Sequence, residues 1–166
     1  MITDLVQIQL LGEKKRDENT RFRKSMKSHS DRILRRIAED IEEQIDCRTC
    51  ANCCKVATVR ISERDVERLA RHLRIPPARF LSDYTVESAT EGRILRRSAE
   101  NGCVFLSGYD CIIYDARPDI CQRFPHLVRG QGSIASRMWE FVDRACYCPI
   151  VYNSLEAFKE ALRFKR

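Results

Sequence analysis

Four of the nine cysteines in this 166-residue chain lie within eight residues, at Cys47, Cys50, Cys53 and Cys54. A thiolate is a soft, negatively charged ligand that suits zinc, copper(I) or iron–sulfur clusters and suits calcium or magnesium poorly. Nine is an odd number, and the share of cysteine is below that of small secreted proteins built on disulfides. The cluster therefore predicts a metal site, with buried or redox-active thiols as the alternative.

The spacing within the cluster is Cys-x2-Cys-x2-Cys-Cys, and bacterial ferredoxins use its first part. Adjacent side chains such as those of Cys53 and Cys54 point to opposite faces of a strand, or about 100° apart on a helix. We therefore expect the doublet to serve two metal positions or one polynuclear cluster more readily than a single zinc ion.

Five further cysteines follow, and they are Cys103, Cys111, Cys121, Cys146 and Cys148. Sites with four thiolates are common for zinc and for iron–sulfur clusters, so eight of the nine cysteines would fill two such sites. The residues alone leave open how the ligands divide between sites, and whether Cys146 replaces Cys148 or stays outside. An ordinary zinc ribbon is disfavoured because these last two cysteines have only one residue between them.

Positively charged residues accompany the thiols at Arg48, Lys55, Arg117 and Arg123. Several thiolates around a metal leave a negative centre, which nearby cations and backbone N–H groups stabilise. Arg117 and Arg123 are the predicted orienting residues outside the ligand set. Among the histidines, His126 is a candidate ligand, whereas His29 and His72 are expected at the surface.

The composition is that of a globular protein with a charged surface: 33% of residues are charged, 43% are hydrophobic and the formal net charge is +6. These values exclude collagen-like and disordered chains. The sequence contains no apolar run of about 18 residues that could cross a membrane. The N-terminal stretch is interrupted by Gln7 and Gln9, so it does not resemble a secretory signal. We expect a soluble cytoplasmic protein with no membrane partner.

The sequence offers few residues that point to a chemistry other than metal binding. No Ser/His/Asp set, phosphate-binding glycine loop or pair of catalytic carboxylates can be assigned, so no catalytic residue is predicted and an enzymatic activity is disfavoured. The basic segment with Arg21, Arg23, Lys24 and Lys27 has the charge to contact phosphates of a nucleic acid. Nearby acidic residues favour a solvated helix face instead, which makes nucleic-acid binding the minor alternative.

The hydrophobic pattern places a charged helical arm before the cluster. Isoleucine and leucine recur at steps of three and four over 31–45, which predicts a helix with Ser30 as its N-cap. The alternation over 6–10 fits either a strand or a helix. We expect an arm over 1–46, a metal-binding domain over 47–150 and a C-terminal helix over 151–166 that packs on it, all within one structural domain.

Short elements are predicted between and after the cysteines. In chain order they are a strand over 57–61, a helix capped by Ser62 and ending near Leu73, a helix over 78–84 opened by Pro76-Pro77, a strand at 94–95, hairpin strands over 103–106 and 111–114, a helical turn after Pro118, and a helix over 155–164. The predicted fold class is α+β, a small irregular domain stabilised by metal, with short strands and helices and a helical N-terminal arm.

Three segments together resemble the YkgJ-like cysteine-cluster family, which is described as zinc- or iron-chelating and carries a CxxCxxCC signature. They are the cluster at Cys47–Cys54, the segment Cys103-Val-Phe-Leu106, and the run from Cys111 through Arg117-Pro118 and Cys121 to Pro125. The late Cys148-Pro149 is similar to the terminal Cys-Pro of the family. The resemblance covers residues 47–149.

The resemblance implies bound iron–sulfur clusters or zinc, with Cys146 as the substitute for one of eight ligands. Those ligands are Cys47, Cys50, Cys53, Cys54, Cys103, Cys111, Cys121 and Cys148. The family usually has arginine directly after the third central cysteine, where this chain has Gln122 followed by Arg123. A similar domain of flagellin lysine methylases is tied to an iron–sulfur cluster.

The residues and the resemblance together lead to three expectations about function. The first is an accessory or electron-transfer module that binds metal and serves a partner enzyme. The second is a metalloenzyme acting on a protein substrate, as the similarity to the methylases would allow. The third is a zinc-stabilised protein that binds nucleic acid through the basic segment of the arm.

Overall fold

The computed structural model describes residues 1–26 and 31–165. Its α-helices are α1 (Leu5–Lys14), α2 (Arg16–Ser25), α3 (Asp31–Glu42), α4 (Cys47–Cys50), α5 (Asn52–Val56), α6 (Glu63–Leu73), α7 (Pro77–Tyr84), α8 (Asp119–Arg123), α9 (Met138–Arg144) and α10 (Pro149–Ala161). Its strands are β1 (Thr85–Ser88), β2 (Gly92–Leu95), β3 (Arg97–Ser98), β4 (Gly102–Cys103), β5 (Leu106–Ser107) and β6 (Asp110–Cys111). Short helices, small antiparallel strand pairs and a helical N-terminal region confirm the predicted α+β class.

Contacts divide the chain into two compact units. Unit 1 consists of Met1–Cys47 and Phe124–Arg166, and unit 2 consists of Arg48–Arg123. The predicted segments 1–46, 47–150 and 151–166 follow other boundaries and stay a prediction. Over the described ranges, no helix is both long enough and apolar enough to span a bilayer.

Unit 1 is built from α1, α2, α3, α9 and α10 around an apolar core that includes Ile8, Phe22, Leu34, Phe141 and Phe158. The last helix, α10, contacts α1, α3 and α9. Gly12 lets α1 come close to the backbone after α9, because a Cβ atom at this position would lie 2.5 Å from the Cα atom of Cys146. Unit 1 is therefore held by helix packing.

The helix ends in unit 1 differ from several predictions. The predicted C-terminal helix over 155–164 begins six residues earlier, because Pro149 supplies a first residue that needs no N–H partner. Asn153 is consequently inside the helix, where its amide donates to the Pro149 carbonyl at 2.8 Å. The helix predicted over 31–45 ends at Glu42, and the alternating stretch near the N-terminus is helical. Predicted features at Ser30 and His29 lie outside the described residues.

The predicted basic segment lies on α2. Arg21, Arg23 and Lys24 are exposed there, as a phosphate-binding face or a solvated face would require. Lys27 lies outside the described residues.

Unit 2 has its own core, in which Phe80, Tyr84 and Phe105 stack on one another with ring centroids 5.0–6.3 Å apart. The predicted caps of its two longer helices are confirmed. Ser62 and Asp65 form a capping box at the start of α6, and Pro77 is the first residue of α7.

The small strands of unit 2 pair antiparallel as β1–β2, β3–β4 and β5–β6. The predicted strand over 57–61 is extended chain beside β2, where the Val59 carbonyl accepts from the Leu95 N–H at 2.9 Å, rather than a regular strand. The predicted hairpin is confirmed but shorter, with Leu106 opposite Cys111 and Gly108 at φ 63° in the turn. Cys103 belongs instead to the preceding strand pair.

A buried ion cluster ties α10 to the first two helices of unit 1. The side chain of Lys159 is 1% exposed and its Nζ atom donates to Glu18 and Glu156, each at 2.6 Å. Lys15 also donates to Glu156. Burial alone would raise the pKa of Glu156, but the hydrogen bonds from the two lysines outweigh it and lower that pKa.

We predict that Glu156→Gln lowers the free energy of unfolding at pH 7 by about 2–3 kcal/mol, because it removes one of two carboxylates from a buried lysine. The pKa of Glu156 is lower in the folded than in the unfolded chain, so its stabilising effect is present above about pH 4.5 and is lost as the pH falls through the folded value. Urea unfolding followed by circular dichroism should therefore show a larger difference at pH 7 than near pH 3.

The matched control is Glu160→Gln, which neutralises an exposed glutamate of the same helix. It should leave the unfolding curve almost unchanged at both pH values. A loss from Glu156→Gln that is the same at both pH values would contradict the ion-pair explanation.

Candidate metal centre

The cysteines are distributed over short elements of both units, and those in unit 2 are Cys50, Cys53, Cys54, Cys103, Cys111 and Cys121. Helix α5 carries the cysteine doublet, while β4, β6 and α8 carry one cysteine each. No disulfide joins any of the chain's nine cysteines, all of which belong to the described residues. Unit 2 therefore offers six thiols to a ligand.

The doublet lies on a helix, which was one of the two expected geometries. Ala51 has a left-handed backbone conformation at φ 48°, and this break separates α4 from α5. The Sγ atoms of Cys53 and Cys54 are 4.0 Å apart. Two thiolates on one tetrahedral zinc are about 3.8 Å apart, given a Zn–S distance of about 2.3 Å. The adjacency of the two residues therefore does not by itself require two metal positions.

A glycine brings β4 against the doublet helix. A Cβ atom at Gly102 would lie 2.6 Å from the Cys54 carbonyl oxygen and 2.7 Å from the Cα atom of Lys55. Only a residue without a side chain allows this approach, and Gly102 also has a positive φ of 71°. Cys103, the next residue, is thereby held beside α5.

Arg97, on the neighbouring strand β3, also contacts α5. It stands opposite Cys103 in the β3–β4 pair, and its guanidinium donates to the carbonyls of Lys55 at 2.7 Å and Val56 at 2.6 Å. These are the last carbonyls of α5, which have no partner within the helix. Burial raises the pKa of Cys103, and the positive charge of Arg97 offsets a part of that rise.

Three half-buried thiols of unit 2, those of Cys103, Cys111 and Cys121, lie near enough to Cys54 for its charge to oppose their ionisation, and we call these four residues the four-thiol group. Burial is the largest effect and raises the pKa of Cys103 to about 11 and that of Cys121 to about 12. A charge on Cys54 raises the pKa of each of the other three thiols further. A cation bound between these thiols would stabilise their ionised forms.

Hydrogen-bond donors from the backbone and from side chains partly offset the effect of burial on the pKa values of these thiols. The N–H of Phe105 donates to the sulfur of Cys103, and the N–H of Ile113 donates to the sulfur of Cys111. In each pair the donor lies two residues after the cysteine. A hydrogen bond with Cys53 lowers the pKa of Cys54 to about 7.

Arg117, one of the predicted orienting residues, lies over the ring of Tyr114 with its guanidinium carbon 3.8 Å from the ring centroid. Its charge lowers the pKa of Cys54, Cys111 and Cys121, against the effect of burial on each. The second predicted residue, Arg123, instead makes its contacts with Asp119. Both assignments as orienting residues of a metal stay predictions.

The remaining predicted ligands have other surroundings. Cys47 is exposed, whereas Cys146 and Cys148 are buried in unit 1. Arg16 donates to the sulfur of Cys146 at 3.3 Å, and burial raises the pKa of this thiol to about 11. His126 also belongs to unit 1. Ligation by these residues stays a prediction.

The chemistry of the four-thiol group suits zinc and iron, which both take four thiolate ligands. Within residues 1–26 and 31–165, no three or more Cys, His, Asp or Glu side chains are already spaced as a metal site. Sulfur atoms on one zinc must approach one another to about 3.8 Å. The group thus supplies the ligand type, the N–H donors and the neighbouring cations for a thiolate-bound metal.

Gly102 and Arg97, through which β4 and β3 contact α5, were not predicted from the sequence. The dipeptide Gly102-Cys103 is a signal for a close backbone approach next to a ligand, although it does not identify the partner helix. Arg97 has no such signal, because its place opposite a cysteine depends on a strand pair two residues long.

A family model described as "CxxCxxCC: Putative zinc- or iron-chelating domain" matches residues 46–149, which is more than half of the chain. No curated protein and no solved structure matches the chain significantly.

We predict that Gly102→Ala weakens zinc binding at least tenfold, because the added methyl group would push β4 and Cys103 away from α5. Gly92→Ala is the matched control: Gly92 has the same φ of 71°, but no atom lies within 4 Å of its Cβ position. Both variants carry the strain of a left-handed residue, about 1–2 kcal/mol, and only one carries the clash. Competition with a zinc chelator measures the difference, and equal affinities would contradict the role of the close approach.

Proposed function

The chain belongs to the CxxCxxCC family of zinc- or iron-chelating domains, and we propose that the four-thiol group of unit 2 holds its metal. The observation that supports this most directly is the close approach of β4, which carries Cys103, to the helix that carries Cys54, and a charge on Cys54 correspondingly opposes the ionisation of Cys103, Cys111 and Cys121. Thiols that oppose one another's charge gain most from a shared cation. The metal would supply the positive charge that the buried thiolates lack.

The charges around the group fit such a centre. Four thiolates on a divalent ion leave a charge of about −2, which nearby cations and N–H groups stabilise. Arg117 and Arg97 provide the cations, and the N–H groups of Phe105 and Ile113 provide donors. None of these groups is a ligand. They make ionised thiols less costly at this place in unit 2.

We further propose that the centre serves a partner protein, as an accessory or electron-transfer module. Exposed apolar and aromatic residues surround the thiol-bearing segments, and they are Val56, Val104, Tyr109, Ile112 and Tyr114. We call them the exposed fringe. Ile112, 62% exposed, directly follows Cys111, and Val104 directly follows Cys103. Apolar groups that face solvent together are typical of protein-interaction surfaces.

Two positively charged side chains lie against aromatic rings of the exposed fringe. Lys55 lies over the ring of Tyr109 at 4.4 Å from its centroid, as Arg117 does over Tyr114. In the part of the chain that the structure describes, neither cation forms a salt bridge with a carboxylate. Aromatic residues and arginine are enriched at the centres of protein interfaces. The fringe therefore supports a partner with apolar groups and carboxylates.

The identity of the metal decides between the two forms of this role. Zinc has no redox chemistry, so a zinc centre would support an accessory role, whereas electron transfer requires iron. Anaerobic purification followed by quantification of iron, zinc and acid-labile sulfide distinguishes them. An iron–sulfur centre should give a brown protein whose visible absorption bleaches reversibly with dithionite, and a zinc centre should give a colourless one.

We predict that Cys54→Ser and Cys121→Ser each reduce the metal bound per chain to less than half of the wild-type value, because each removes one of four thiolates. Cys146→Ser is the control, because Cys146 contacts Arg16 in unit 1 and is outside the four-thiol group. It should keep the wild-type metal content. Full metal content in Cys54→Ser and Cys121→Ser would refute the assignment.

The partner role predicts site-specific crosslinking. A photoreactive amino acid at Ile112 should crosslink in cells to one protein of defined mass, which mass spectrometry then identifies. The same substitution at Val86, which is 41% exposed in the same unit but outside the fringe, is the control. The product should disappear when Cys121→Ser removes the metal. Identical products from both positions, or none from Ile112, would contradict a docking role for the fringe.

A further inference from the structure

Two charged residues of α6 join this helix to the segment that precedes Cys121. We infer that Asp65 and Arg68 are positioning residues of the metal centre, which set the places of Arg117 and Cys121. This inference rests on the proposed function of the four-thiol group. No cysteine lies on α6, and its sequence predicts only a helix capped by Ser62.

Asp65 is 3% exposed, and its carboxylate joins two helix starts. It accepts from the backbone N–H of Ser62 at 3.0 Å and from its hydroxyl at 2.8 Å, which completes the capping box of α6. It also accepts from the backbone N–H of Asp119 at 3.1 Å. Asp119 is the first residue of α8, whose early N–H groups have no partner within the helix. The same carboxylate therefore caps the helix that carries Cys121.

Arg68 extends the connection over neighbouring residues. One of its nitrogen atoms donates both to Asp65 at 2.6 Å and to the Arg117 carbonyl at 3.0 Å. A second donates to the Asp119 carboxylate at 3.1 Å. Two residues with charged side chains on α6 thus hold the segment on both sides of Pro118.

The backbone of Arg117 is held by a second donor. The side-chain amide of Gln122 donates to the Arg117 carbonyl at 2.8 Å, so this carbonyl accepts from both Gln122 and Arg68. The guanidinium of Arg117 is held over the ring of Tyr114. Backbone and side chain are both fixed, and the charge of Arg117 consequently acts on the neighbouring thiols from a defined place.

Helix α8 depends on such external support because it is only five residues long. A helix of one turn is not stable by itself, since nucleation costs more than one turn of hydrogen bonds returns. Its start is held by the carboxylate of Asp65, and Cys121 follows within the same turn. Loss of this support would displace Cys121 and Arg117 together. Residues that hold ligands in place typically change metal affinity by about 10–100-fold when they are replaced.

The test compares Arg68→Met with Arg64→Met in the full-length protein, with Co²⁺ as the probe. Met keeps the apolar stem of Arg68 and removes its donors, and Arg64 is an exposed arginine of the same helix. Arg68→Met should bind Co²⁺ about 10–100-fold more weakly. At saturation, it should also show weaker thiolate-to-cobalt charge-transfer absorption and altered ligand-field bands. Arg64→Met should match the wild type in both respects.

The cobalt spectrum separates positioning from stability. A variant that is merely less stable still gives the wild-type spectrum once Co²⁺ saturates it, and that result for Arg68→Met would overturn the inference. Equal losses in Arg68→Met and Arg64→Met would overturn it as well. If the wild type itself lacks thiolate charge-transfer bands, the proposed metal centre is wrong, and the inference fails with it.

A second variant covers the case in which Arg68→Met does not fold. Gln122→Ala removes the other side-chain donor to the Arg117 carbonyl and leaves the contacts of α6 intact. It should weaken Co²⁺ binding in the same direction by a smaller factor. Wild-type affinity together with a wild-type spectrum in Gln122→Ala would count against the positioning of Arg117.

Discussion

Thiols that are buried beside one another resist ionisation, and the metal centre proposed for unit 2 depends on overcoming that resistance. Burial, with the charges of neighbouring thiols, raises the pKa of Cys121 from 9.0 to about 12, which makes its thiolate about 4 kcal/mol more costly to form than that of an exposed cysteine. A structural zinc site contributes about 10–16 kcal/mol at neutral pH, so a bound metal exceeds this cost for more than one thiol. The metal must displace protons, and its binding therefore weakens as the pH falls.

The fold reduces the cost with contacts that are made before any metal binds. The N–H groups of Phe105 and Ile113 donate to thiol sulfur atoms, and the positive charge of Arg117 acts on Cys54, Cys111 and Cys121. None of the elements that carry the cysteines of unit 2 is longer than five residues. Their positions are consequently set by contacts from outside, through the close approach at Gly102 and the carbonyl contacts of Arg97.

Local sequence signals predicted the parts of unit 2 that local interactions determine. The capping box of Ser62 and Asp65, the start of α7 at Pro77 and the turn at Gly108 each depend on residues within a few positions of one another. The resemblance identified the family and with it the metal class. The ligand set as a whole stays a prediction, and six of its eight members belong to unit 2.

The remaining features could not be predicted because they join distant parts of the chain. The contact between Asp65 and the N–H of Asp119 spans 54 positions, and that between Arg97 and Val56 spans 41. The spacing of Ser62 and Asp65 shows only the cap of their own helix, although the same carboxylate also caps α8. In unit 1, the helix that was predicted from residue 155 begins at Pro149, because the fixed backbone angle of proline suits the first position of a helix.

The exposed fringe lies next to the short thiol-bearing elements of unit 2. In and just after the hairpin that follows Phe105, Ile113 is buried in the core of unit 2, whereas Tyr109, Ile112 and Tyr114 face outward. Turn residues beside a core leave some side chains facing outward, but nothing requires those side chains to be apolar. Polar side chains at these positions would cost the fold little. Their apolar character, together with the cations that lie on the two tyrosine rings, is therefore an observation in favour of the proposed protein partner.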